Sequence, residues 1–130
     1  MQRGVILVAM ACSLSACRGG DSPSEARFVV DGVWPREREG VYLNEAIVVH
    51  FSDEVERTSV TSASFSVRRA RDGRLAQGYL SVDGPRVRFD PRVPLSRSLD
   101  DAGLFPGTRS VLVVRGYPYL GSVRSVRGVP

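Results

Sequence analysis

The chain has 130 residues with a formal net charge of +4, and it is 42% hydrophobic and 25% charged. These values exclude wholesale disorder and a protein that crosses the membrane many times, and the length allows one domain with one core. All 18 basic residues are arginine, and acidic residues lie among them in 31–38 and 83–92. We therefore predict a surface of mixed charge and no nucleic-acid partner.

The first 17 residues have the pattern of an export signal. Arg3 precedes the apolar run 5–10, which is too short to span a bilayer as a permanent helix. The run leads to Leu14, Ser15, Ala16 and Cys17. This order resembles the lipobox of bacterial lipoproteins, and it implies that residues 1–16 are a lipoprotein signal peptide.

The resemblance implies a role for each lipobox residue. In lipoproteins the cysteine thiol, here Cys17, receives a diacylglycerol, and a signal peptidase that recognises the three preceding residues cuts before it. The new amine can then take a fatty acid such as palmitate, and two or three chains make a stable membrane anchor. By the same resemblance, Arg18 directly after the cysteine favours the outer membrane in a Gram-negative cell. The alternative is an ordinary secretory signal in which Cys17 is incidental.

Cleavage before Cys17 also limits what the exported chain can contain. Cys12 leaves with the signal peptide, so we expect neither a disulfide nor a thiol-based metal site. Residues 17–27 are polar and rich in Gly, Ser and Pro, which predicts a flexible tether. We predict a folded domain over 28–116, and 117–130 is interpreted as a loop or the start of a truncated C-terminal segment.

The domain consists of short β-prone runs separated by turn residues, and no stretch keeps a helical period for three turns. The period of two is clearest where Ile47, Val49 and Phe51 share one face. Asp72–Gly73 and Asp83–Gly84 are suited to hairpin turns. The predicted strands are 28–33, 46–51, 64–68, 75–82, 86–89 and 110–115. This pattern predicts an all-β, antiparallel sandwich.

Several stretches resemble a known family. In 41–55 an entry segment leads into a strand, a Phe-Ser pair and an acidic turn, 60–65 opens the next strand, and 87–95 with 112–116 forms the last third of the motif. These positions resemble bacterial Ig-like domains of the S-layer-protein type. The matching residues include Leu43, Asn44, Ile47, Val49, Phe51, Ser52, Asp53, Glu54, Val60, Thr61, Phe65, Val87, Phe89, Asp90, Pro91, Pro94, Leu95, Leu112, Val114 and Gly116.

The chain departs from this family at its end. Members usually close the sandwich with one more strand, whereas 116–130 is predicted to be loop. Either the chain is truncated, or the strand of a neighbouring chain completes the sheet. Of the two we favour truncation, because an unpaired sheet edge exposes backbone donors and acceptors and invites aggregation.

The sequence offers little that could support catalysis. His50 is the single histidine, no Gly-x-Ser-x-Gly motif is present, and one histidine is too few for a typical zinc site. Asp53–Glu54 and Asp100–Asp101 pair carboxylates, but calcium would need loop carbonyls in addition. We therefore predict no enzyme, no catalytic residue, no cofactor and no metal, and we interpret His50 as a surface residue.

Two features are candidate surface contacts. Arg68, Arg69, Arg71 and Arg74 surround the predicted Asp72–Gly73 turn, either as a solvated hairpin tip or as a contact for anionic polysaccharide or lipid headgroups. Trp34 is either a packing residue at the domain boundary or a platform for a sugar ring. The resemblance implies a non-catalytic, lipid-anchored envelope module for adhesion, spacing or protein–protein interaction. The alternative is an accessory domain that binds polysaccharide or another ligand, and a hydrolase is the least favoured class.

Overall fold

The computed structural model describes residues 4–10, 27–36 and 39–128. These residues form eight strands in two four-stranded sheets. Sheet A has the order β3-β1-β8-β5, and sheet B has the order β2-β4-β7-β6. The strands are β1 (Gly4–Met10), β2 (Val30–Trp34), β3 (Glu39–Val41), β4 (Ile47–Phe51), β5 (Phe65–Arg69), β6 (Gly78–Asp83), β7 (Arg86–Pro91) and β8 (Arg109–Val114), with a 3-10 turn at Arg57–Ser59.

The predicted all-β sandwich is confirmed. The order of sheet B is the one that immunoglobulin-type sandwiches give to their strands A, B, E and D, while β5 and β8 take the places of C and F. In such sandwiches the last strand lies beside F. Here β1 occupies that place, and it runs parallel to β8.

The core lies between the two sheets, and the burial of strands such as β4 and β7 alternates between the inward and the outward face. On β4 the inward residues Ile47, Val49 and Phe51 are buried, while His50 between them is exposed. The pleat places successive side chains on opposite faces, so sheet B has one face buried against the core and one face exposed to solvent. From the other strands the core receives Ile6, Val41, Phe65, Val67, Val87, Phe89 and Leu112.

The hairpin predicted at Asp83–Gly84 is confirmed. Strands β6 and β7 pair over six residues, with Asp83 opposite Arg86 across the turn. Gly84 has a φ of 54°, a backbone conformation that a side chain would strain. This hairpin is the most continuous antiparallel pairing of sheet B.

The turn predicted at Asp72–Gly73 forms, but most of the strand predicted to follow it does not pair with β5. The return beside β5 is short: Leu75 bridges to Arg68, the Arg69 amide donates to the Arg74 carbonyl, and the Ala76 amide donates to the Val67 carbonyl. The chain then crosses to sheet B, where β6 begins at Gly78. β5 instead pairs with β8 over five residues. Beside β7 the strand β6 pairs over six residues and packs Leu80 and Val82 against the core.

The chain after β8 packs on the sandwich without forming a strand. Val123 and Ser125 are buried, and Ser125 bridges to Val55. The Glu56 amide donates to the Arg124 carbonyl at 2.9 Å, and the Val126 amide donates to the Glu54 carbonyl at the same distance. The packed part of the chain therefore continues past Gly116.

The structure describes one part of the predicted signal peptide and does not describe the lipobox. Residues 4–10 form β1, between β3 and β8. Leu14, Ser15, Ala16 and Cys17 lie outside the described residues, as does most of the predicted tether.

Candidate functional site

The outer face of sheet B carries exposed aromatic and charged side chains. We define this outer face as Trp34, Val48, His50, Tyr79, Ser81, Arg86 and Arg88. One row crosses all four strands, because Trp34 lies opposite Val48, Val48 opposite Arg88, and Arg88 opposite Ser81. The next row along the strands places His50 opposite Arg86.

Two aromatic rings stand at the two edges of this outer face. Trp34 on β2 is 56% exposed, and Tyr79 on β6 is 79% exposed. Three inter-strand steps separate β2 from β6, which corresponds to about 14 Å across the sheet. A ring that stays in water keeps its apolar face available for another planar or weakly polar surface.

Charged groups between the rings are held in position by ion pairs. The Nε of Arg88 donates to both oxygens of Asp90 at 2.9 and 2.8 Å, and this hydrogen bonding raises the pKa of the Arg88 guanidinium. Arg86 pairs with Asp83 at 3.3 Å, with both side chains largely in water. Such exposed pairs contribute little to stability because water screens them, but they orient donors and acceptors along the outer face.

The four arginines near the Asp72–Gly73 turn do not form one solvated tip. Arg69 is half-buried, pairs with Asp72 through two hydrogen bonds, and places its guanidinium carbon 4.7 Å from the centre of the Phe105 ring. Arg74 approaches the same ring at 5.7 Å. Arg68 donates from Nε to the Ser66 hydroxyl at 3.1 Å, while Arg71 is exposed.

Arg69 and Arg74 lie against the Phe105 ring, which sets them apart from Arg68 and Arg71. The sequence did not predict this contact. Cations over an aromatic face are attracted by its negative quadrupole, so Arg69 and Arg74 are drawn to the loop that follows β7. The hydrogen bond from Arg69 is the main cause that lowers the pKa of Asp72 to about 2. Three of the four arginines thus have partners within the domain, Arg69 and Arg74 at Phe105 and Arg68 at Ser66.

A shallow groove of about 440 Å³ lies between this turn and the loop 98–108. Its walls include Arg69, Arg74, Leu99, Asp101 and Phe105. The loop keeps its shape through Asp101, whose carboxylate accepts hydrogen bonds from the Leu95 amide at 2.8 Å and from the Ser96 hydroxyl at 2.8 Å. These donors, the Leu95 amide first, lower the pKa of Asp101 to about 2.

One carboxylate of each pair considered for calcium has other partners. Both oxygens of Asp101 face amide and hydroxyl donors, so a cation there would displace hydrogen bonds that hold the loop. Asp53 pairs with Arg127 at 3.2 Å and accepts from the Glu54 amide at 2.9 Å. Among the residues that the structure describes, no three His, Cys, Asp or Glu side chains come together as a metal site.

The hydrogen bonds that Asp101 accepts predict how the stability of the domain changes in acid. The folded-state pKa, about 2, lies below the ordinary value of 3.8, so folding favours the ionised form and gains stability above about pH 4. That contribution is lost as the pH falls from about 4 towards 2. We expect Asp101→Ala to lower the urea midpoint at neutral pH, and the difference from the unsubstituted chain to shrink in this window. A difference that keeps its size down to pH 2 would contradict the role of Asp101 ionisation.

The sequence analysis named two residues of the outer face, Trp34 and His50. Trp34 is 56% exposed at the edge of sheet B. His50 is exposed, as expected from its position opposite the apolar face. Tyr79 and Arg88 were missed, although the alternation of Tyr79 with Leu80 and of Arg88 with Phe89 already places both on the polar face.

Comparison with known proteins produced no match to a family model, to a curated protein or to a solved structure. Within the described ranges of the chain, none of the helical segments has the length and apolar character needed to cross a bilayer.

Proposed function

We propose that the chain is an exported lipoprotein, anchored through Cys17 in the cell envelope and in the outer membrane if the cell is Gram-negative. The observation that carries this proposal is the order Leu14, Ser15, Ala16, Cys17 directly after an apolar run. The chemistry fits, because a cysteine thiol is the nucleophile that a diacylglyceryl transfer needs. A polar tether then separates the anchor from the domain.

The domain itself acts as a non-catalytic module for adhesion, spacing or protein–protein interaction. Its two-sheet architecture and its similarity to Ig-like domains of the S-layer-protein type support this role, because such domains serve as rigid spacers and contact surfaces. A fold alone does not determine a function, so the argument also uses the outer face of sheet B. That face presents aromatic and charged groups on a rigid sheet, which is typical of a contact surface.

The anchor is tested by comparing the expressed chain with its Cys17→Ser variant. We expect the unsubstituted protein to lack residues 1–16, to carry the mass of the attached lipid and to sediment with membranes. The variant should lose the lipid mass and the membrane attachment, because two or three acyl chains supply the binding. Intact mass and membrane fractionation measure both effects. Cys12→Ser is the matched control, since it removes a thiol that leaves with the signal peptide.

Equal mass and equal solubility of the unsubstituted protein and Cys17→Ser would contradict lipidation. The chain would then be an ordinary secreted protein or one that keeps its N-terminus, and the intact mass tells these two outcomes apart.

A second candidate function is polysaccharide binding by the outer face of sheet B. The specific observation is the exposure of Trp34 and Tyr79 at its two edges, with the Arg88–Asp90 pair between them. Sugar rings stack their C–H faces on aromatic rings, and paired charged groups bind hydroxyls by accepting and donating at once. The length of the face suits several sugar units rather than one.

Binding of muramidase-solubilised peptidoglycan and of neutral β-linked glucans, followed by titration calorimetry, tests this second function. We expect Trp34→Ala and Tyr79→Ala each to weaken binding about tenfold, since each removes a stacking ring. Tyr119→Ala is the matched control, because this exposed tyrosine lies outside sheet B. Unchanged affinity in both outer-face variants would exclude this face as the sugar site.

A further inference from the structure

We infer that the turn 117–121 is a membrane contact, whose exposed Tyr117 and Leu120 enter the headgroup region of an anionic bilayer. The inference rests on the proposed anchor at Cys17, because that lipid holds one end of the sandwich near the membrane. It goes beyond the anchor, since it assigns a second membrane contact to the domain itself and defines which end of the domain faces the bilayer.

The predicted tether enters the sandwich at a defined end. Ser52 directly follows β4, and its hydroxyl donates to the Arg27 carbonyl at 3.2 Å and accepts from the Val29 amide at 3.0 Å. Residues 18–26 separate Arg27 from Cys17, and a flexible tether of this length spans about 17 Å on average. The opposite end of the sandwich lies a strand length further away, about 20 Å. The end with Arg27 is therefore the one nearest to the lipid.

The turn 117–121 lies at this same end. The chain that returns from it is bonded to the residues just after β4, because the Val126 amide donates to the Glu54 carbonyl at 2.9 Å. The turn is closed by the Val123 amide, which donates to the Arg115 carbonyl at 2.9 Å. These bonds hold the turn on the sandwich, and neither of them involves β1, which the proposed cleavage removes.

The side chains of Tyr117 and Leu120 are held in solvent by this turn. Tyr117 is 72% exposed and Leu120 is 98% exposed. An apolar side chain in water gains free energy when it moves into lipid. Tyrosine is enriched where membrane meets water, because its ring is apolar and its hydroxyl is polar. The two side chains therefore suit the boundary between headgroups and acyl chains.

The charges around the turn suit anionic headgroups. Arg115 precedes the turn, and Arg57 lies in the 3-10 turn at the same end; both are exposed. Asp53 and Glu56 are paired with other arginines, and none of the ion pairs between described residues includes Arg57 or Arg115. These two guanidinium groups outnumber the exposed carboxylate of Glu54 beside them, and guanidinium binds phosphate oxygens through paired hydrogen bonds.

The exported chain allows a probe to be attached at one position, because Cys12 leaves with the signal peptide and Cys17 carries the lipid. Leu120→Cys and Leu95→Cys are each labelled with bimane in the lipidated protein. The proteins are reconstituted into phosphatidylcholine vesicles with or without phosphatidylglycerol, and quenching by doxyl-labelled lipids reports contact with the bilayer. Leu95 is the matched control, since it is 88% exposed and follows β7 at the opposite end of the sandwich.

We expect doxyl lipids to quench the probe at Leu120→Cys about threefold more than the probe at Leu95→Cys when phosphatidylglycerol is present, because an interfacial contact buries its apolar side chains below the headgroups. Quenching should fall in neutral vesicles and at high salt, since both weaken the attraction to Arg57 and Arg115. Adding Tyr117→Ser to the Leu120→Cys chain should lower it as well. Equal quenching at the two positions would overturn the inference.

Two further readouts separate the competing explanations. A probe at Leu120→Cys that is shielded from water without vesicles would overturn the inference, because protein would then cover the turn, from a second copy or from a further part of the chain. Intact mass reports on the anchor. A chain without lipid contradicts the anchor and this inference with it, whereas a lipidated chain whose two probes are quenched alike contradicts only the contact made by the turn.

Discussion

Replacing Gly103 by alanine is expected to destabilise the domain by about 3 kcal/mol, because the added methyl group would enter a closed ring of three backbone hydrogen bonds. The Gln77 amide donates to the Gly103 carbonyl, the Gly103 amide to the Arg92 carbonyl, and the Arg92 amide to the Gln77 carbonyl, at 3.0, 2.8 and 2.9 Å. The new Cβ would lie 2.2 Å from the Gln77 oxygen and 2.3 Å from the Arg92 nitrogen. All nearby atoms are backbone, so they cannot rotate away.

Urea denaturation of Gly103→Ala measures this effect, and Gly32→Ala is its matched control. A Cβ at Gly32 meets no atom within 4 Å, so the same substitution there should leave the free energy of unfolding nearly unchanged. Equal stability of the two variants would mean that the ring around Gly103 is not as tight as the structure shows.

Truncation of Leu112 to alanine is expected to cost about 3 kcal/mol in the free energy of unfolding. Leu112 is 0% exposed and lies in the middle of β8, between β1 and β5. The loss combines the transfer energy of the removed methyl groups with that of the cavity left behind, since sheet A cannot collapse without breaking two ladders. Urea denaturation with an unchanged slope is the expected form of the result.

Leu120→Ala provides the matched control for the core substitution. This leucine is 98% exposed, so its truncation should change the free energy of unfolding by less than about 0.5 kcal/mol. A loss at Leu112 no larger than the loss at Leu120 would contradict the position of β8 in the core.

The strands that sequence reasoning found are those whose alternation is visible locally. In residues 46–51 the large apolar side chains Ile47, Val49 and Phe51 share one face, and β4 spans Ile47–Phe51 with that face buried. β3 was missed because three residues are too few to show a period. The crossing after Leu75 was missed for a different reason: the choice between β5 and β7 as a neighbour depends on pairing with distant residues, which local pattern does not contain.

The candidate site was predicted in part for the same reason. Trp34 stands out in the sequence as the single tryptophan, whereas Tyr79 becomes informative only when the register places it on the same face. The contact between the Arg69 guanidinium and Phe105 was not predicted, because Phe105 lies more than thirty positions beyond Arg69 and the local sequence carries no signal of it.

The parallel pairing of β1 with β8 also bears on the order of events during synthesis. Val5 and Arg109 are opposite one another although more than a hundred positions separate them, so closing this contact is slow compared with the local β6–β7 hairpin. The apolar leader is synthesised first, and β8 does not exist until most of the chain has been made. In the proposed export, the leader therefore stays available to a targeting factor, because β8, the strand it would otherwise pair with, is synthesised late.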